Sequence, residues 1–415
     1  MGRSLAMAAY RALSGRTAAR GFVPAGPRPK GELVWLHAAE KSNLLALQDL
    51  AQRLAVARDG LNTLITLSDG DSLETARADT PRPGPVCLDV LPSEHPAAVA
   101  RFLDHWSPDM CIWAWGNLHP TLMAEAHARG CPTALVDADA GGFDGRRDRW
   151  LPDLTRELLS DCVAVMARSS SAADRLANLG VRRRDIRITP PLQAGGQALP
   201  CDDTDLAETS ALLAARPVWL ATGVQEEEVQ LILAAHRHAL RYSHRLLLIL
   251  HPARTEASDI MAGQAQEAGF RVSTWGGPGE PGENSQVMIA EDGEDLGLFF
   301  RLAPVSFLGS SLVSGYGGRN PFEAAALGSA VLYGPNVRRY LPFYSRLANA
   351  GAARIVKDSD TLGAAVTRLI APDQAAAMAH AGWDVISRGA ELADTVTELV
   401  EETLDTRTAH RHAPA

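Results

Sequence analysis

At 415 residues, with 46% hydrophobic and 21% charged residues, the chain has the make-up of a soluble globular protein with room for two domains of about 150 to 200 residues each. No uninterrupted apolar run approaches the roughly 18 to 20 residues that span a bilayer, and a net charge of −9 speaks against nucleic-acid binding. The scattered Cys87, Cys111, Cys131, Cys162 and Cys201 lack any CxxC spacing, which suits a reducing cytoplasm and supplies no zinc site.

Residues 1–30 hold Arg3, Arg11, Arg16, Arg20, Arg28 and Lys30 and no acid. With Leu5, Met7, Tyr10 and Leu13 this segment has two readings, a basic stretch lying on an anionic membrane surface or a frayed tail. Arg11 interrupts the only weakly apolar run, so no signal peptide is expected.

From Gly31 short apolar runs alternate with amphipathic ones, the pattern of βαβ units on a parallel sheet. Strands are predicted at Leu33–His37, Asn62–Leu67, Pro85–Leu88, Met110–Ala114, Thr133–Val136, Val163–Ala167 and Ile186–Thr189. Helices are predicted at Ser42–Ala57, Pro96–Trp106, Pro120–Arg129 and Ser171–Leu179. These make a first domain over 31–195. Residues 196–204 have no periodicity and read as a linker.

A second series over 205–383 places strands at Val218–Ala221, Arg245–Leu250, Phe270–Thr274, Gln286–Ile289, Val305–Leu308 and Ala330–Tyr333. Its helices are expected at Glu226–Arg241, Ser258–Ala268, Leu296–Leu302, Pro321–Leu327, Thr361–Ile370 and Ala375–Ala381. A terminal helix over 384–405 and a disordered tail over 406–415 complete the reading. The fold class is therefore α/β, with two doubly wound, Rossmann-like domains facing a central cleft.

The run from Gly315 to Pro335, GYGGRNPFEAAALGSAVLYGP, compresses a glycine-rich turn, a helix start and a strand. Gly315, Gly317 and Gly318 permit positive φ, and Asn320-Pro321 opens a helix with Glu323 in its first turn. Such a helix start favours an anion; equally, the run reads as an ordinary capped helix after a turn.

With these motifs placed, the chain resembles the Kdo transferases of lipopolysaccharide synthesis, enzymes of the GT-B glycosyltransferase fold. The resemblance spans about Gly31 to Ala390 and rests on Trp35-Leu36-His37-Ala38-Ala39, Trp106-Ser107-Pro108-Asp109 with Ile112-Trp113, and Trp219-Leu220-Ala221 with Ala234-Ala235-His236. Gly297-Leu298-Phe299, Arg301-Leu302-Ala303 and Gly317-Gly318-Arg319-Asn320-Pro321-Phe322-Glu323 extend it. It implies transfer of 3-deoxy-D-manno-octulosonic acid, or a related acidic sugar, from a CMP-activated donor to a lipid A precursor or other envelope acceptor. The chain would then work at the cytoplasmic face of the inner membrane, with no cofactor or metal. It also implies a donor site comprising Gly317, Gly318, Asn320, Pro321, Phe322, Glu323, Pro252, Arg254 and Leu296.

On the acceptor side the chain departs from the family. The family's general-base glutamate corresponds to Asn43 in HAAEKSN, and an amide cannot take a proton near neutral pH. Glu40 and His119 are the candidate substitutes. The Trp115-Gly116-Asn117-Leu118-His119-Pro120 segment lacks the family's two carboxylates, and Gln193 stands where it has a lysine. An alternative reading is thus an inactive paralogue that binds CMP or a CMP-sugar in a regulatory or scaffolding role.

Overall fold

The computed structural model describes residues 5–14, 21–40, 43–70, 73, 86–139, 152–196, 198–214, 216–276, 284–291 and 293–412. Ser42, most of the 276–284 loop and the last three residues of the predicted tail lie outside these. The chain divides into two compact units, Met1–Gly195 with Arg388–Ala415, and Gly196–Ser387.

Each unit is built on a seven-stranded, all-parallel sheet. In the first, β1 (Leu33–Ala38), β2 (Asn62–Leu67), β3 (Val86–Val90), β4 (Met110–Ala114), β5 (Thr133–Ala138), β6 (Ala164–Ala167) and β7 (Ile186–Ile188) take the order β3-β2-β1-β4-β5-β6-β7. In the second, β8 (Val218–Val224), β9 (Leu247–Pro252), β10 (Val272–Thr274), β11 (Val287–Ile289), β12 (Val305–Leu308), β13 (Ala330–Tyr333) and β14 (Ala353–Ile355) take the order β10-β11-β9-β8-β12-β13-β14. The first order reverses between β1 and β4 and the second between β8 and β12, with β10 and β11 exchanged at its edge, and ligands of doubly wound sheets bind at the carboxyl ends of the strands beside such a switch point.

Parallel sheets are covered on both faces, so their strands read as continuous apolar runs. Every residue of β1, β4, β8 and β9 is buried. One face of the first sheet packs Trp35, Phe102, Trp106 and Trp113; the other packs the helix Leu44–Ala57 and Leu392, Val396, Val400 and Leu404 of the last helix. Some of the polar groups inside these layers pair with one another. Thr66 Oγ1 accepts from Trp35 Nε1 at 2.8 Å and lies 3.0 Å from His37 Nδ1. His236 Nδ1 accepts from Trp219 Nε1 at 3.1 Å, and its Nε2 lies 2.9 Å from the carbonyl of Gln286. The tryptophan and histidine pairs that stood out in the sequence thus tie the sheets together.

The helix Leu5–Ser14 packs against the helices Pro120–Ala128 and Pro152–Ser160, with Met7 buried in the core and Tyr10 against it. Arg11 reaches Glu125 at 3.4 Å. This part of the basic segment is therefore neither a frayed tail nor a helix with those two side chains turned to lipid.

Further differences from the sequence reading have local causes. The linker run ends in a helix, Asp203–Leu213, because Asp202 accepts the backbone N–H groups of Thr204 and Asp205. The helix predicted to break near Gly382 and end at 405 is one helix, Pro372–His412, so residues 406–412 are not a disordered tail. Its two internal glycines, Gly382 and Gly389, cost about 1 kcal/mol each, less than the burial of Leu392, Val396, Val400 and Leu404 returns. Beyond them Arg407 bonds the carbonyl of Gly130.

Candidate functional site

At the carboxyl ends of β8 and β12 the second unit builds its site largely from backbone. Glu228 is fully buried, and its carboxylate accepts four N–H groups: Gln225 at 3.0 Å, Ser310 at 2.7 Å, Ser311 at 2.9 Å and Leu312 at 2.8 Å. That fills the capacity of an ionised carboxyl group and clamps the loop leaving β12. Ser310, with φ of 57°, donates from Oγ to the carbonyl of Gly223 at 2.8 Å and accepts from Gln225 Nε2 at 2.8 Å.

The glycine turn follows. Gly315, Gly317 and Gly318 have φ of 106°, 84° and 83°, the left-handed values their lack of a side chain permits. The Gly318 N–H donates to the carbonyl of Ser310 at 2.9 Å, and the Tyr344 hydroxyl donates to that of Arg319 at 2.8 Å. The Arg319 side chain lies over Gly223, where a Cβ would stand 2.5 Å from Nε. The family-like arginine thus rests on bare backbone at the end of β8.

An open pocket of about 80 Å³ lies beside this turn, lined by Val224, Gln225, Glu227, Ala253, Arg254 and Tyr316 among others. The Tyr316 hydroxyl donates to Glu227 at 3.1 Å, which raises the phenol's pKa and spends one lone pair of the carboxylate. Arg254 is exposed, with its cation available to the pocket.

The residues predicted for a donor are only partly gathered here. Arg254 lines the pocket with Ala253, Pro252 does not, and the turn reaches it through Tyr316. Gly317, Gly318, Asn320, Pro321, Phe322, Glu323 and Leu296 do not line it. Asn320 caps its helix, accepting the Phe322 N–H at 3.1 Å. Phe322 itself is fully buried, stacked on Phe343 with centroids 4.2 Å apart. Leu296 opens the helix Leu296–Leu302 and is buried, while the neighbouring Asp295 accepts from Trp275 Nε1 at 2.7 Å. Glu228 and Tyr316 were missed in the sequence: one hid in a run of three glutamates, the other in the glycine turn.

In the first unit the switch point lies at the carboxyl ends of β1 and β4. Gly116, with φ of 156°, lets the loop after β4 settle on Ala39, against whose Cβ a side chain at 116 would collide at 2.3 Å. Asn43 is buried at the start of the helix Leu44–Ala57, while Glu40 is exposed and its charge is felt by Arg168. His119 precedes the helix Pro120–Ala128 without capping it by its side chain. Its Nδ1 lies 3.4 Å from Glu94 Oε1, and Glu94 Oε2 accepts the Thr121 N–H at 2.8 Å. Burial pushes the Glu94 pKa up, but the pairing with His119 and the Thr121 N–H outweigh it and hold the carboxyl below its ordinary value. His37, fully buried 6.2 Å from His119, is held neutral chiefly by burial and secondarily by that neighbour.

Among the described residues no cluster of three His, Cys, Asp or Glu side chains could hold a metal ion. Nor is any helix among them long and apolar enough to cross a membrane.

Residues 15–194 match the family model described as 3-Deoxy-D-manno-octulosonic-acid transferase (kdotransferase). The chain is 29% identical to the 3-deoxy-D-manno-octulosonic acid transferase of Bordetella pertussis over 91% of its own length and 88% of that protein's. It is 25% identical to that of Haemophilus influenzae, over 88% and 85% of the two chains. The chain is similar to Kdo transferases along most of its length. Among solved structures, the C-terminal CMP-Kdo binding domain of WaaA from Acinetobacter baumannii is similar at 21% identity with a TM-score of 0.41, over 44% of this chain and 98% of that one. That likeness extends through both units, each built on a parallel sheet.

Proposed function

We propose that this chain is a Kdo transferase that moves Kdo from a CMP-activated donor to a lipid A-type acceptor in lipopolysaccharide synthesis. The observation that carries the reading is likeness to Kdo transferases over nine-tenths of the chain, through both units. The donor's nucleotide end is assigned to the second unit, at the carboxyl ends of β8 and β12. There Arg254 offers a positive partner for a phosphate, in the open pocket that the glycine turn reaches through Tyr316. Gly317, Gly318, Asn320 and Glu323 act by shaping that turn. An acceptor with lipid chains brings the protein to a membrane surface, and the contact is proposed to be peripheral.

The test is CMP release from CMP-Kdo by purified protein, with and without lipid A precursor. Acceptor-dependent release with Kdo appearing on the lipid supports the reading. CMP binding by calorimetry with no transfer to any envelope acceptor would overturn it.

A further inference from the structure

An acceptor hydroxyl must lose its proton as its oxygen attacks, and buried Asn43 offers only an amide for that purpose. Exposed Glu40 carries a carboxylate whose charge is felt by Arg168. We propose that His119 is the base for the acceptor hydroxyl and that Glu94 is its positioning residue; this rests on the transfer reading above.

The geometry is that of an oriented imidazole. Glu94 is anchored first, because Oε2 takes the Thr121 N–H, one of the unpaired donors in the opening turn of the helix Pro120–Ala128. Its remaining oxygen, Oε1, faces His119 Nδ1 at 3.4 Å. That separation is long for a hydrogen bond, yet both atoms are buried and neither has another hydrogen-bond partner among the described residues. The contact is therefore the one open to both, and such pairs often tighten only when substrate binds. A proton on Nδ1 directed at Glu94 leaves the lone pair on Nε2, at the far end of a ring that is 20% exposed.

The other walls do not compete for the proton. Trp113 stacks on His37 with centroids 4.1 Å apart and stands 5.9 Å from the His119 ring. His37 and Glu94 are the titratable groups set against His119, and His37 is kept neutral by burial. The ring lies at the carboxyl end of β4, beside the loop that Gly116 seats on Ala39 after β1, which is where a doubly wound sheet presents a ligand.

In the step, Nε2 takes the hydroxyl proton as the acceptor oxygen forms its bond to the anomeric carbon of the sugar. The bond from that carbon to the phosphate oxygen breaks, and CMP departs with the electron pair. The Glu94 carboxylate faces the imidazolium until its proton passes to water.

Two substitutions test the pair in the CMP-Kdo and lipid A precursor assay, read as full pH profiles. His119→Gln is expected to lower kcat by about 10² or more with little change in the KM for CMP-Kdo, and to abolish the acid limb of the profile. Glu94→Gln, nearly identical in shape, is expected to lower kcat by about tenfold and move the acid limb to lower pH, a displacement that lost packing would not cause. His119→Gln within about threefold of the unmodified protein, or an acid limb unmoved in Glu94→Gln, overturns the pair while leaving Kdo transfer intact. Absence of transfer by the unmodified protein overturns both.

Discussion

The two switch points of this molecule both lie beside the first strand of a parallel sheet and differ in what they are made of. Where β8 and β12 part, the loops are fixed through backbone: one carboxylate, Glu228, gathers four amides, and three glycines turn the chain in left-handed conformations. Where β1 and β4 part, the exposed chemistry lies in side chains, with His119 against Glu94 and neutral His37 behind them. A backbone site presents fixed dipoles and depends little on protonation, which suits holding a phosphate. A side-chain site changes charge with pH, which suits moving a proton.

The strongest blow to that contrast is Glu228→Ala. It strands buried N–H groups of Ser310 and Ser311, and a loss of about 3–5 kcal/mol is expected in chemical denaturation. A loss under about 1 kcal/mol would mean that other contacts hold the loop. Next comes acid. Burial depresses the His236 pKa to about 3, so the unfolded chain takes up a proton below about pH 6.5 that the folded chain refuses. Stability is full above that pH and falls as pH drops toward 3; between pH 7 and 5 the histidine accounts for about 2 kcal/mol. His37 acts in the same direction. Urea midpoints at the two pH values measure the effect, which should shrink in His236→Gln.

Phe322→Leu separates core from ligand contact: stability should fall by about 1 to 1.5 kcal/mol, with CMP affinity by calorimetry unchanged within about threefold. A tenfold loss of affinity at preserved stability would place Phe322 in the donor site. Smallest is Tyr316→Phe, which releases Glu227 at an exposed position. It should move stability by less than about 0.5 kcal/mol while changing CMP affinity a few-fold.

The strands were legible because a parallel sheet buried on both faces writes itself as apolar runs, and the Met110–Ala114 strand has the predicted bounds. The helices Pro152–Ser160, Asp203–Leu213 and Leu341–Asn349 and the short strand Ala353–Ile355 were not, since half-exposed elements dilute that periodicity. The glycine turn was visible from its φ requirement. Glu94 was not, because its partnership with His119 crosses a helix and a strand and leaves no mark on spacing. The same limit explains Phe322, whose motif is conspicuous in sequence while its ring does core work that no local pattern distinguishes.

The helix Pro372–His412 has a bearing on how the protein is made. Leu392, Ala393, Val396, Val400 and Leu404 fill one face of the sheet begun at Leu33, and Arg407 bonds Gly130. The first unit therefore lacks a wall of its core until the last residues leave the ribosome, although domains generally fold from the N-terminus as they emerge. A truncated product ending near residue 195 would expose that apolar face, so a nascent chain must shelter it through the synthesis of the whole second unit.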